Sequence, residues 1–445
     1  MEPVPLLAHD SAASVVAYRG GTPITARQFI ADALRVAAIL PSGGHVLNAC
    51  ADRYRFAVGL AAALIVNKVS LLPPTYVPEV IRQLRAFAPD AFCLTDEDCA
   101  SEIGLPTVRF PAGPAAPNDA WQVPSIPGDR LAAYVFTSGS TGTPVPHAKT
   151  WGRLVQNVRV EAERMGLDAA RPYALVATVP PQHMYGFESS LLVALHSGQS
   201  FCAEHPFYPA DIASVLSAVP RPRALVSTPI HLRTLLAAGM PLPAVDLIVC
   251  ATAPLGARLA ADTEQRFGAP LLEIYGSTET GQIASRRTVD GPEWRLWPGV
   301  ELVARGDAIW AQGGHIETAT PLGDVLEITA PGRFLLHGRT ADLVNIAGKR
   351  SSIAYLNHQL NAIPGVLDGA FFLGDEPSHQ SATGIARLGA VVVAPGLTAE
   401  IILRQLRDRL DPVFLPRPLL IVDSIPRNST GKLPQAALRS FAARG

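Results

Sequence analysis

Apolar positions along the chain alternate between two periods. Residues 25–40 return an apolar side chain with helical spacing, and Thr25 is placed to cap that helix. Short apolar runs at 45–49, 69–72 and 91–95 predict strands, and 77–87 again has helical spacing. Residues 56–66 are apolar without a break between Arg55 and Asn67, which predicts a buried helix. That run is too short to cross a bilayer, which takes roughly 20 residues. The same rhythm resumes after a Pro-, Gly-, Ala- and Asn-rich connection at 111–130. Strands are expected at 131–136, 173–179, 224–227, 247–251 and 271–274. Helices are expected between them at 151–165, 187–196, 230–238 and 257–267. Strand followed by helix, repeated, argues for a largely parallel sheet layered with helices.

From 294 to 338 the pattern changes to hairpins and turns, with strands expected at 294–305, 308–312, 325–328 and 334–337. Beyond about residue 340 a separate βα pattern begins, with helices expected at 353–361 and 399–409. The expected fold is α/β: a large N-terminal domain, 1–338, of layered βα subdomains plus a β-rich part, then a small α+β C-terminal domain, 342–445.

Composition narrows this only a little. A chain of 445 residues with 48% hydrophobic and 17% charged residues supports more than one core. A net charge of -1 is not the basic bias of a protein that wraps nucleic acid. Cys50, Cys93, Cys99, Cys202 and Cys250 form no C-x-x-C pair, and a reduced, cytoplasmic setting without membrane insertion is expected. Residues 1–10 lack a basic stretch followed by an apolar run, so no secretory signal is expected.

The candidate chemistry starts where the expected strand 131–136 runs into Thr137-Ser138-Gly139-Ser140-Thr141-Gly142-Thr143-Pro144. Glycines let successive backbone N–H groups converge on one anion, and the hydroxyls between them add donors. The loop suits a polyphosphate. It is not a Walker loop, because the G-x-x-x-x-G-K-[ST] spacing is absent.

Three further segments follow: Tyr275-Gly276-Ser277-Thr278-Glu279, Gly338-Arg339-Thr340-Ala341-Asp342, and Pro426-Arg427-Asn428-Ser429-Thr430-Gly431-Lys432. In this order and spacing the four segments resemble the adenylate-forming superfamily of acyl- and aryl-CoA synthetases, nonribosomal adenylation domains and luciferases. The resemblance extends over nearly the whole chain. It implies that residues 137–143 grip the phosphates of ATP, that Tyr275 stacks on adenine, that Thr278 bonds the α-phosphate and that Glu279 holds Mg²⁺. A hard cation bridging phosphate oxygens does call for a carboxylate. Asp324 and Arg339 match the residues that hold the ribose. Lys432 matches a catalytic lysine placed between the attacking carboxylate and the α-phosphate. Ala251, Thr252, Ala253 and Pro254 resemble a stretch, usually G-G-A-P-L, whose backbone lines the nucleotide and acyl pockets. The segment from Pro180 to Gly186 resembles one whose histidine, here His183, closes the acyl pocket. Phe187, Thr228, Tyr275 and Gly276 complete that pocket. Gly348 stands where the family has a loop facing the pantetheine tunnel. His196, His205 and His231 show no metal spacing and read as structural.

The chain departs from the family pattern in three places. The lysine usual after T-G-x-P is Val145, which leaves Lys149 or His147 to reach the β- and γ-phosphates. The hinge acid position holds Ala341, with Asp342 beside it, and the final position of the last motif is Gln435. The family usually passes its acyl group to coenzyme A or to a carrier protein's phosphopantetheine, with a mobile C-terminal domain rotating between the steps. No carrier domain is expected after Gly445, so any carrier is expected to be a separate protein. The variant P-x-x-H-x-K after the loop is similar to enzymes of aryl-polyene and xanthomonadin pigment pathways. That implies a hydroxybenzoate as the acid and an acyl carrier protein as the acceptor.

Overall fold

The computed structural model describes residues 2–96, 104–116, 121–138, 144–306, 308–339, 343–346, 349–373, 388–427, 433 and 441. Two sheets organise the large N-terminal part. The first has six strands in the order Pro144–Thr150, Leu131–Ser138, Val69–Leu72, His45–Asn48, Phe92–Thr95, Thr107–Arg109. All run parallel except the edge strand Pro144–Thr150. The second has eleven strands. Its centre is parallel, from Val15–Arg19 through Ser200–Cys202, Ala174–Ala177, Arg223–Ser227 and Leu247–Cys250 to Leu271–Ser277. Antiparallel strands extend it beyond Leu271–Ser277: Gly281–Arg286, Trp294–Leu296, Arg333–Arg339 and Asp324–Ala330.

One apolar core joins the two sheets. Val46, Leu72 and Ala133 of the first share it with Leu175, Val226 and Val249 of the second, and Phe29, Phe56, Trp151 and Phe187 fill it from helices. Thr25 caps helix Ala26–Ala37 by accepting from Gln28 N at 3.3 Å. Asp52 caps Arg53–Ile65 by accepting from Arg55 N at 2.9 Å, and that helix is buried on nearly every side. Its Arg53 is buried too. The guanidinium donates to Ala177 O at 3.0 Å, Val179 O at 2.9 Å and the Ser190 hydroxyl, fastening this helix to the second sheet.

The expected strand 294–305 is two strands, Trp294–Leu296 and Val300–Arg305, in different sheets. Pro298 and Gly299, with φ +78° at the glycine, break it. The strand Pro144–Thr150 was not expected. Pro144 and Pro146 hide it, and they are tolerated because it is an edge strand whose outer side needs no ladder donors. The smaller C-terminal part has its own apolar cluster, including Val344, Leu356, Phe371, Val392, Ile402 and Leu406. A three-stranded sheet, Asp368–Leu373, Leu388–Val393 and Leu419–Ile421, carries it, with helices Ile353–Asn361 and Ala399–Arg407.

Candidate active site

Two hairpins, one at the edge of each parallel block, meet at the sequence-predicted site. The first pairs Leu131–Ser138 with Pro144–Thr150, from Ser138↔Pro144 to Leu131↔Thr150. Gly139, Ser140, Thr141, Gly142 and Thr143 lie outside the described residues, and Ser138 is placed by its backbone alone. Strand alternation puts Val145, His147 and Lys149 on one face of the returning strand. They become steadily less accessible along it: Val145 is 44% exposed, His147 is half-buried and Lys149 is 4% exposed.

The second hairpin pairs Leu271–Ser277 with Gly281–Arg286 and carries Thr278 and Glu279 in its turn. The Ser277 and Thr280 hydroxyls, 3.1 Å apart, close the turn, and Thr280 N donates to Ser277 Oγ at 3.2 Å. Gly276 has no room for a Cβ, which would overlap Gly281 O and stand 2.6 Å from Gln282 Cα. Gly281 has φ +72°, a conformation that favours glycine.

The hairpins touch through side chains. His147 Nε2 is 2.9 Å from Thr137 Oγ1 and 3.6 Å from Glu279 Oε1, while Lys149 Nζ donates to Glu279 O at 3.0 Å. Partial burial pushes the Glu279 carboxyl up. Its own backbone N–H, the Ser277 hydroxyl, His147 and Lys149 outweigh that and hold it below its ordinary value. Burial lowers the His147 imidazole, only partly offset by Glu279. Lys149 was one of two expected phosphate cations. It is turned onto the Glu279 peptide, and His147 is the one beside Thr137 at the mouth of the loop.

Of the residues expected at the nucleoside, Tyr275 lies on the same strand as the turn. Tyr275 OH donates to Asp324 Oδ2 at 2.6 Å, and its ring packs against Trp294 and Phe334 at 5.6 Å from each. Asp324 is the register partner of Arg339, which is placed by its backbone. Across the parallel strands, Leu255 N donates to Glu273 Oε1 at 3.1 Å and holds the segment Ala251, Thr252, Ala253, Pro254 in place. Thr252 has φ +82°, a strained conformation for a β-branched residue, at the position where the family pattern has glycine.

His183 opens the helical stretch Met184–Gly186, which continues as a π-helical segment, Phe187–Leu192. Such segments often occur at functional sites. Tyr185 OH donates to Ser227 O at 3.1 Å and Val249 O at 3.0 Å, which fastens His183 to the ends of the central strands. Phe187 is fully buried in the core, and Thr228 Oγ1 is 3.1 Å from His231 Nδ1. That ring also meets Thr178 Oγ1 at 3.0 Å, so His231, read from sequence as structural, belongs to a buried hydroxyl network beside Thr228.

Gly348 and Lys432 lie outside the described residues. Just before Lys432, Arg427 grips Asp368 through Nε and Nη2, both at 2.8 Å, and Asp368 also meets Arg233 of the N-terminal part at 3.3 Å. Among the described residues no group of three His, Cys, Asp or Glu could hold a metal by itself. Glu279, a single partly exposed carboxylate 3.6 Å from His147, fits the expected Mg²⁺, an ion that would be held chiefly by phosphate oxygens and water.

The family model for "AMP-binding enzyme" matches residues 8–305. A 4-coumarate–CoA ligase of Rhodobacter capsulatus is 32% identical over 251 residues, 55% of this chain and 62% of the relative, so the match spans less than two thirds of that protein. A p-hydroxybenzoic acid–AMP ligase of Mycobacterium tuberculosis is 27% identical over 361 residues, 70% of this chain and 49% of the relative. The ATP-bound structure of MatB from Rhodopseudomonas palustris superposes with a TM-score of 0.79 at 21% identity, over 98% of this chain and 97% of that one. At that identity it shows the fold. No helix among the described residues is long and apolar enough to cross a membrane.

Proposed function

Because the chain belongs to the AMP-binding enzyme family, we propose that it activates an aryl carboxylic acid, such as a hydroxybenzoate, as an acyl-adenylate and then passes the acyl group to a thiol. One observation supports the reading: a single strand and its turn join two polar corners. Tyr275 and Asp324 stand at one end, and Glu279, His147 and Thr137 at the other. A nucleoside triphosphate lying along that edge presents its α-phosphate near Thr278. The acid's carboxylate enters from the side of His183 and Thr228 and attacks the α-phosphorus. The new C–O–P linkage forms as the bond to pyrophosphate breaks. Glu279 would hold Mg²⁺, which would supply neutralisation of charge on the leaving pyrophosphate. Lys432 stabilises the charge that builds between two anions. In the second step the thiol attacks the acyl carbonyl, and AMP leaves with the acyl C–O bond pair.

The aryl assignment rests on the buried hydroxyl and imidazole groups Thr178, Thr228 and His231, which offer polar partners to a ring hydroxyl, and on the aryl substrates named for the relatives. For the acceptor, we favour the phosphopantetheine of a separate acyl carrier protein. The relatives named as CoA ligases support a second reading in which free coenzyme A takes its place. Pyrophosphate release, measured with ATP and a panel of benzoates, cinnamates and fatty acids, tests the first step. Faster turnover of medium-chain fatty acids than of any aryl acid would overturn the aryl assignment. Thioester formation with coenzyme A, compared with holo carrier protein, decides the acceptor.

A further inference from the structure

A set of buried ionisable groups lies directly beneath the Ser277–Gly281 turn, and the mechanism above gives it no task. Lys149 carries an ammonium at 4% exposure. Its Nζ donates to Glu279 O at 3.0 Å, and the charge that most favours its protonated state is Glu188, ahead of Glu317 and Glu279. Glu188 is 1% exposed. Its Oε1 accepts from Asn157 Nδ2, and its Oε2 has no hydrogen-bond partner among the described residues. His315 Nε2 is 3.1 Å from the next carbonyl, Thr280 O. A Cβ on Gly281 would stand 2.7 Å from Asn157 Nδ2 and 2.9 Å from Glu188 Oε1, so at Gly281 the turn sits close against this polar floor.

A buried ammonium needs acceptors around it, and removing one charge of a buried pair strands the other. Moving Lys149 to a phosphate would leave the Glu279 carbonyl without its donor and take an ammonium out of the cavity that Glu188 also lines. We propose that Lys149 is a positioning residue: sharing a small buried cavity with Glu188, it clamps the Glu279 peptide from below and so aims the Glu279 carboxylate at the metal of the metal–ATP complex, without touching the nucleotide. The inference rests on the reading of Glu279 as the magnesium ligand.

The test is ATP binding to the full chain by calorimetry at pH 8, in EDTA and across a Mg²⁺ series. The variants are Lys149→Met, Glu188→Gln and Glu279→Gln. The clamp predicts that Lys149→Met leaves metal-free ATP affinity within about twofold but raises half-saturating Mg²⁺ about tenfold, as loss of an outer-shell partner does. Glu188→Gln, nearly isosteric and so informative even if Lys149→Met does not fold, moves Mg²⁺ dependence in the same direction by less. A phosphate-binding Lys149 gives the opposite pattern. Lys149→Met then weakens metal-free ATP binding as much as metal-loaded binding, and Glu188→Gln, by freeing the ammonium, tightens it. Either result overturns the clamp. If Glu279→Gln abolishes the Mg²⁺ dependence while the other two variants leave it unchanged, the clamp alone falls. If Glu279→Gln also leaves it unchanged, the assignment of Glu279 falls and takes the clamp with it.

Discussion

The two hairpins have the same construction and different support. Each adds an antiparallel strand to the edge of a parallel block, and each has a short Ser-, Thr- and Gly-bearing connection. The turn at 277–281 closes on its own hydroxyls and rests on Lys149, His315, Asn157 and Glu188. The hairpin of 131–138 and 144–150 presents Val145 to solvent where the family pattern has a lysine. The returning strand of that hairpin therefore supplies the floor of the other turn. The difference teaches that a missing lysine at one position does not leave that face without basic side chains. His147 and Lys149, two and four residues further along the same face, stand at Thr137 and Glu279.

The comparison breaks most visibly at Glu279. Glu279→Gln is expected to slow adenylate formation about 10²- to 10³-fold, read as pyrophosphate release at saturating ATP and acid, whereas Val145→Ala leaves it within about twofold. Equal effects would mean that the supported turn is not the more important of the two. Next in size is packing. Gly281→Ala meets both a left-handed backbone and a filled floor, and is expected to cost about 2 kcal/mol or more in stability, seen as a lower unfolding midpoint. Val145→Ala, on the exposed edge, should change stability by no more than about 0.5 kcal/mol. A tolerated Gly281→Ala would show that the floor yields.

The smallest effect is electrostatic. Glu161 is fully buried below the same hairpin, and burial raises its carboxyl well above the ordinary range. The folded state keeps this proton while the unfolded chain gives it up, so the contribution to stability is full below the unfolded value of about 4.5 and is lost as pH rises. Glu161→Gln removes that loss. The variant's Tm should exceed the parent's by a few degrees at pH 8, with the gap smallest at pH 5. A gap independent of pH would place an ionised, compensated Glu161 in the floor.

Much of the fold is legible in the sequence. Helix Ala257–Phe267 and strand Leu247–Cys250 carry clear periods, and packing does not override them. The strand Pro144–Thr150 escapes because edge position, not propensity, makes its prolines harmless. For the site, the motif segments locate Glu279, Tyr275 and Asp324, which the structure brings onto connected strands. Period two places Lys149 on the face of Val145 and His147, but nothing local says that this face is covered at one end. Part of the cover comes from Glu188, a lone acid in the fully buried segment Phe187–Leu192 that looks out of place in a core helix until its neighbours are known. Thr252 is similar: only the left-handed backbone reveals that a glycine's conformation has been kept without the glycine.

The contact between Lys149 and Glu279 spans 130 positions of chain and joins two separate sheets. Each hairpin can form locally, within its own stretch of sequence, long before the other exists. The bond between them can form only after the sheets have docked and their shared core has excluded water, the kind of non-local step that comes late and sets the pace of folding. The proposed metal-dependent nucleotide binding then becomes a reporter on refolding. It should recover with the slowest phase, after far-UV circular dichroism has already returned.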